Sequence, residues 1–124
     1  MLVVEDDFSS CEVLVMLLEG EGLDVAAASN GEEALKRLDA DPRIGLIITD
    51  YMMPTLNGID LCRKLEADPR FRRIPVILMS ATYISSETLP PQISAVFGKP
   101  LLFDKLISKV LEILGATARG PELT

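Results

Sequence analysis

Apolar positions along this chain fall into two kinds of pattern. Continuous apolar runs of strand length occur at LVV (2–4), IGLIIT (44–49), PVILM (75–79) and SAVF (94–97). Between them lie longer segments whose apolar residues recur at helical spacing. A continuous short run fits a strand buried on both faces, and a 3.6-residue period fits a helix with one covered face. The alternation therefore predicts βαβ units, with a parallel sheet covered by helices on both sides.

The first strand, Leu2 to Val4, is unusually short. The helix after it is expected to be capped by Ser9 or Ser10, to bury Val13, Leu14, Leu17 and Leu18, and to end at Gly20 and Gly22. Leu23 to Ser29 reads as the second strand. Asn30 then caps a second helix, with Glu33 at the capping-box position and Ala34, Leu35 and Leu38 facing inward until Asp41-Pro42 stops it. Ile44 to Thr49 is the third strand. The loop YMMPTLNG leads into a helix from about Ile59 to Ala67, with Leu61, Cys62 and Leu65 at core spacing, and DPRFRR is its exit turn. Pro75 to Met79 and Ser94 to Phe97 supply the last two strands, and an amphipathic final helix carries Leu102, Leu106, Val110 and Leu114. Residues 1–115 read as one domain and residues 116–124 as a C-terminal tail or linker.

Composition narrows the possible functions. A chain of 124 residues has the length of a single domain, and 48% hydrophobic with 25% charged residues is typical of a folded protein rather than a disordered one. A net charge of -7 argues against direct binding of nucleic acid or an anionic membrane, because phosphates would be repelled; any DNA contact would need another domain. No apolar run approaches the ~20 residues of a membrane span, and no signal peptide precedes the acidic cluster after Val4. Cys11 and Cys62 both fall inside helical patterns and read as buried free thiols, which suits a reducing, cytoplasmic setting. The absence of histidine removes the commonest general base and the usual zinc ligand, and with them histidine-dependent hydrolysis. Arg70, Arg72 and Arg73 on the DPRFRR turn read as a solvated surface in preference to an anion grip.

The candidate chemistry sits where the apolar runs stop. Glu5-Asp6-Asp7, Asp50, Ser80 and Lys99 each follow a predicted strand. Parallel strands end on one edge of their sheet, and ligands bind in the crevice there. In a five-stranded doubly wound sheet of order 2-1-3-4-5, that crevice lies between the first and third strands and would hold Asp6 and Asp50. Hard oxygen ligands of this kind suit Mg2+, which usually takes one or two carboxylates and then phosphate oxygens. Ser80 is suited to hydrogen-bond one phosphate oxygen and Lys99 to neutralise another. An aspartate in that setting is a credible nucleophile toward phosphorus.

The segments LVVEDD, TDYMMPTLNG, PVILMSA and GKP, in that order, resemble the receiver domain of two-component response regulators, of the chemotaxis-regulator-like kind, over residues 1–115. The resemblance implies a flavodoxin-like fold in which Asp50 accepts a phosphoryl group from a sensor histidine kinase or a histidine phosphotransfer protein. It implies that Glu5 and Asp6 form an acidic pair, with Asp6 touching Mg2+ directly and the backbone carbonyl of Met52 as a further ligand. Ser80 corresponds to the switch hydroxyl, Lys99 to the partner of the phosphoryl group, Pro100 to a residue reached through a cis peptide bond, and Gly58 to the residue closing the loop. Asp7 corresponds to a variable position and reads as a carboxylate favoured by the helix dipole. Such a protein is a switch in a phosphorelay, not an enzyme beyond its own phosphorylation and dephosphorylation, and is compatible with a homodimer.

Two departures from the family pattern bear on how a signal is read out. An aromatic residue often stands three positions before the lysine, where this chain has Val96; Phe97 comes next and would point to the opposite face of a strand. The stretch from Ala81 to Ala95 is short and contains Pro90-Pro91, which no helix interior accommodates, so the fourth helix should be truncated, displaced or absent.

Three rivals fit less well. A pseudo-receiver that only docks partners would lack the acceptor, a metal carboxylate or the lysine. An aspartyl-nucleophile phosphatase would want a second acid two residues after Asp50, where Met52 stands. A flavin module would want a hydroxyl- or glycine-rich phosphate loop after the first strand, and EDD would repel the cofactor's phosphate.

Overall fold

The computed structural model describes residues 1–53, 56–85 and 89–118, with side chains through residue 115. Residues 54–55 of the predicted YMMPTLNG loop, residues 86–88 of the stretch before the last strand, and residues 119–124 of the predicted tail lie outside the described residues. Five strands make one parallel sheet: β1 (Leu2–Val4), β2 (Ala26–Ala28), β3 (Ile47–Asp50), β4 (Val76–Ser80) and β5 (Ile93–Gly98), in the order β2-β1-β3-β4-β5. The helices are α1 (Phe8–Glu19), α2 (Gly31–Ala40), α3 (Gly58–Glu66) and α4 (Phe103–Ala118). The doubly wound fold class read from the sequence is the one observed.

Alternation along the strands creates two cores. Leu2, Val4, Ile47 and Val76 pack with Ala34, Leu38, Leu61 and Leu65 of α2 and α3. Val3, Ile48, Ile77 and Met79 point the other way and pack with Leu14, Leu18, Leu106 and Val110 of α1 and α4. Successive side chains of a strand point to opposite faces, so three central strands buried at every position need helices on both sides. Cys62, fully buried in the α2/α3 core, has its thiol pushed up to about 12 by burial. Cys11 is only part-buried, contrary to expectation.

The caps show where the local sequence signal holds and where it misleads. Asn30 caps α2 by accepting from the Glu33 amide at 2.8 Å, and Glu33 reaches back to the Ser29 amide at 3.1 Å. Asn57 caps α3 through the Asp60 amide at 2.8 Å. On α1 the cap is Asp7, neither Ser9 nor Ser10: its carboxylate accepts from the Ser10 amide at 2.9 Å and the Ser10 hydroxyl at 2.6 Å. A carboxylate at that position also gains from the helix dipole, and the Ser10 hydroxyl and amide hold its proton affinity below the usual carboxylate range.

Several other boundaries and burial assignments are corrected. β2 spans only Ala26–Ala28 because its single partner, β1, offers three residues to pair with, Leu2 to Ala26 through Val4 to Ala28. Ile44 is buried but lies before β3, which begins at Ile47, where pairing with Val76 begins. Val13 and Leu17 are 47% and 37% exposed, since the buried stripe of α1 is confined to Leu14 and Leu18. Leu102 is 60% exposed because it precedes α4, whose buried residues are Leu106 and Val110. α4 continues to Ala118, past the Gly115 at which the tail was expected. Arg70 of the DPRFRR turn bridges Asp39 at 2.6 Å and Asp68 at 2.8 Å and lies over the Phe71 ring, so it is engaged within the surface.

Between β4 and β5 the expected irregularity is present: none of the described residues in 81–92 is helical, and β5 starts at Ile93. Gln92 anchors the end of this connection, its amide donating to the carbonyls of Phe71 and Ile74, both at 2.8 Å.

Gly58 packs where no larger residue fits. A Cβ there would lie 2.6 Å from the Asp50 carbonyl oxygen and 2.7 Å from Leu78 Cδ1, while the Gly58 amide donates to the Tyr51 carbonyl at 2.8 Å. Gly58→Ala is expected to cost about 1–3 kcal/mol, the usual range for overpacking, read as a lower urea midpoint at unchanged slope. A midpoint equal to that of the wild type would contradict this packing.

Candidate functional site

Four strand ends meet at the carboxyl edge of the sheet. β1 runs into Glu5 and Asp6, β3 ends on Asp50, β4 ends on Ser80, and Lys99 follows β5. The register aligns these ends: Val4 lies beside Thr49, Asp50 beside Met79, and Ser80 beside Gly98. Carboxylate oxygens of Glu5, Asp6 and Asp50 lie within 4.8 Å of one another. Glu5 and Asp50 are buried at 4% and 6% exposure, whereas Asp6 is exposed.

Lys99 balances part of this charge. Its ammonium lies 3.1 Å from Glu5 Oε1 and 3.0 Å from Asp50 Oδ1. Burial pulls the Lys99 pKa down, but hydrogen bonds to Asp50 and Glu5 outweigh it, and the net shift is upward. The peptide bond Lys99–Pro100 is cis, as the resemblance implies. The Lys99 amide donates to the Ser80 carbonyl at 2.8 Å, tying the lysine's backbone to the end of β4.

Backbone contacts also hold the Asp50 turn. The Tyr51 amide donates to the Met79 carbonyl at 2.7 Å, and the buried Thr49 hydroxyl donates to the Asp50 carbonyl at 3.0 Å. Met52 is on the loop just beyond, with its side chain 66% exposed. A cleft of about 330 Å³ opens beside Lys99, walled by Val13, Leu14, Met79 and Phe103, with Glu5 and Lys99 as charged groups along it.

Four of the residues singled out in the sequence, Glu5, Asp6, Asp50 and Lys99, are thus brought together. Ser80 is at the same edge and 3% exposed, but its hydroxyl is bonded to Thr82. Asp7 is outside the acidic cluster, at the head of α1. Val96 is 40% exposed, while Phe97 packs into the α1/α4 core on the opposite face. Sequence reasoning overlooked Thr49 and Thr82; the available signal was a hydroxyl one or two residues from a strand-end polar residue, close enough to bond it locally.

Hard oxygen donors this close together suit a small divalent cation, and one ammonium cannot neutralise three carboxylates. The arrangement is thus a cluster of hard oxygen donors suited to a small divalent cation, with the Lys99 ammonium beside it and Ser80 at the same sheet edge.

Comparison with known proteins agrees. The sequence model of the family described as "Response regulator receiver domain" matches residues 1–111. The two-component response regulator ORR7 of Oryza sativa subsp. japonica is 35% identical over 94 residues, covering 76% of this chain and 42% of the rice protein, so this chain matches less than half the length of that relative. The crystal structure of the signal receiver domain of a signal transduction histidine kinase from Syntrophus aciditrophicus superposes with a TM-score of 0.81 at 33% identity, covering 99% of this chain and 95% of that one. Response regulator protein TrrA from Thermotoga maritima, crystallised in complex with Mg(2+)-BeF, superposes with a TM-score of 0.80 at 30% identity, covering 91% of this chain and 96% of that one.

The upward shift at Lys99 makes a pH prediction. A group whose folded pKa is raised stabilises the protein fully below its unfolded value and ceases to do so as pH rises through the folded one. In metal-free buffer Lys99→Met should be less stable than the wild type at neutral pH, because Glu5 and Asp50 lose their counter-ion. The gap should close as pH passes above 10.5, the ordinary value for lysine. Urea midpoints of both proteins across this range test it; a gap that persists undiminished at high pH would refute the pairing.

Proposed function

This chain belongs to the response regulator receiver domain family, and from that premise we propose that it is a phosphorylatable switch with Asp50 as the acceptor. The observation that carries the proposal is the convergence of Asp50 with Glu5, Asp6 and Lys99 at one sheet edge. The Asp50 carboxylate takes the phosphoryl group from a phosphohistidine of a sensor histidine kinase or a histidine phosphotransfer protein. An acyl phosphate forms and the imidazole leaves. Lys99, already bonded to Asp50, is placed to turn toward a phosphoryl oxygen, and Ser80 offers the hydroxyl for another.

Glu5, Asp6 and Asp50, with the Met52 backbone carbonyl, are the groups that would hold Mg2+, which when bound supplies positive charge to the phosphoryl oxygens. The chain turns over no external metabolite; its chemistry is its own phosphorylation and dephosphorylation. Its output is a change in which partners it binds, in the cytoplasm, without direct contact with nucleic acid. Among the described residues no helix is long and apolar enough to cross a membrane. A pseudo-receiver role is not favoured, since the acceptor, the acidic residues and the lysine are all in place.

Incubation of the wild type and Asp50→Asn with acetyl phosphate and magnesium, followed by intact mass measurement, tests the acceptor. The wild type is expected to gain one phosphoryl group and the variant none; equal uptake by the two would overturn the assignment.

Magnesium is also expected to raise the melting temperature. Binding to the native state alone contributes about 2.7 kcal/mol at a hundredfold excess over the dissociation constant. Asp6→Ala should lose most of that shift, and a wild-type melting curve indifferent to millimolar magnesium would argue against the metal site.

A further inference from the structure

The Ser80 hydroxyl is fully engaged before any phosphoryl group arrives. Ser80 Oγ donates to the Thr82 carbonyl at 2.8 Å and accepts from the Thr82 amide at 3.1 Å. Thr82 Oγ1 lies 3.2 Å away, in range for a third contact. A hydroxyl has one proton to give and two lone pairs to offer, so a single residue occupies its whole capacity. Ser80 is nearly completely buried and Thr82 is exposed, so the restraint is held from the solvent side of the site.

We propose that Thr82 is a positioning residue: it latches the Ser80 hydroxyl in a resting orientation, and occupation of the phosphoryl site must release that latch. This rests on the reading of Asp50 as a phosphoryl acceptor. To donate to a phosphoryl oxygen, Ser80 has to withdraw its proton from the Thr82 carbonyl, because it has no second one. The exchange makes and breaks hydrogen bonds only. The freed amide and carbonyl of Thr82 can turn to water, since the residue is exposed, so the latch is weak enough to open. The Ser80 backbone stays tied to β5 through the Lys99 amide. Opening therefore moves the Ser80 side chain and the start of the loop after β4, while the strand stays in place. Thr82 sets the balance between resting and engaged states without touching the phosphoryl group.

The test uses the full chain and beryllofluoride with magnesium, with affinity read by titration calorimetry. Thr82→Gly removes the threonine hydroxyl and loosens the turn that supplies the backbone contacts. It is expected to tighten beryllofluoride binding about fivefold, the scale of one net hydrogen bond, and to leave the affinity for magnesium alone unchanged. Thr82→Ser, which keeps the hydroxyl, should behave as the wild type. In a Ser80→Ala background, Thr82→Gly should change nothing, because the latch has nothing to hold. Thr82 is exposed, so these variants are expected to fold, and their melting curves check this.

Unchanged or weaker binding by Thr82→Gly overturns the latch, as does an equal tightening in the Ser80→Ala background. A wild type that binds no beryllofluoride overturns both the latch and the acceptor reading. A wild type that binds it while Thr82→Gly has no effect overturns the latch alone.

Discussion

The Lys99 ammonium lies 3.1 Å from Glu5 and 3.0 Å from Asp50, and both carboxylates are almost out of contact with water. Two like charges about 4 Å apart repel by about 4 kcal/mol at an effective dielectric constant near 20. A buried carboxylate left without a partner is strongly destabilising. The lysine relieves the repulsion but cannot remove it, because Asp6 adds a third carboxylate to the same cluster. The edge is therefore held together by one cation and still short of positive charge. That shortage of positive charge among hard oxygen donors suits the site to a further small cation.

Parallel strands bring these groups together because their polar ends share one edge, and this much was legible in the sequence. Each continuous apolar run had to be covered on both faces, and each polar residue ending a run had to emerge from the sheet. Glu5, Asp50, Ser80 and Lys99 follow from that rule alone. Local boundaries were less legible. Ile44 and Leu23 are apolar and extend the apparent strands, yet strand length is set by the partner: β1 offers three residues to β2, and Ile47 is where pairing with β4 begins. The serines at 9 and 10 looked like caps because the residue type is right, but Asp7 stands one turn earlier with a better acceptor. Val13 and Leu17 have core spacing, but α1 buries Leu14 and Leu18 and packs Cys11 and Val15 beside them.

The connection from β4 to β5 follows a different logic from the rest. Pro90-Pro91 forbids a helix interior, and the chain instead uses Gln92 to grip the carbonyls of Phe71 and Ile74. Gln92 is 8% exposed, and its amide oxygen has no partner among the described residues. The amide nitrogen of Gln92 thereby holds the start of β5 against the turn after α3. The register slips by one residue at Ser94, between the pairs Val76–Ile93 and Ile77–Ala95. A bulge of this kind reassigns faces for every later residue. It puts Phe97 on the α1/α4 core and leaves Val96 beside Leu78, on the opposite face.

Phe97 is therefore packed into the core, and the neighbouring exposed position carries a small aliphatic group. No aromatic side chain of β5 stands free at this edge, and the groups of the site are connected instead through hydrogen bonds. Asp50 is followed by Tyr51, whose amide is bonded to Met79, and Ser80 comes next on that strand. The Ser80 carbonyl is bonded to the Lys99 amide, and its hydroxyl to Thr82. Asp50, Ser80 and Lys99 thus lie on one continuous set of backbone contacts across β3, β4 and β5. Those contacts hold the strands at fixed register, while the side chains of Ser80 and Lys99 are held by contacts of their own to Thr82, Glu5 and Asp50. Regular structure supplies the geometry of the site, and side-chain hydrogen bonds and ion pairs, not the backbone ladder, hold the Ser80 hydroxyl and the Lys99 ammonium within it.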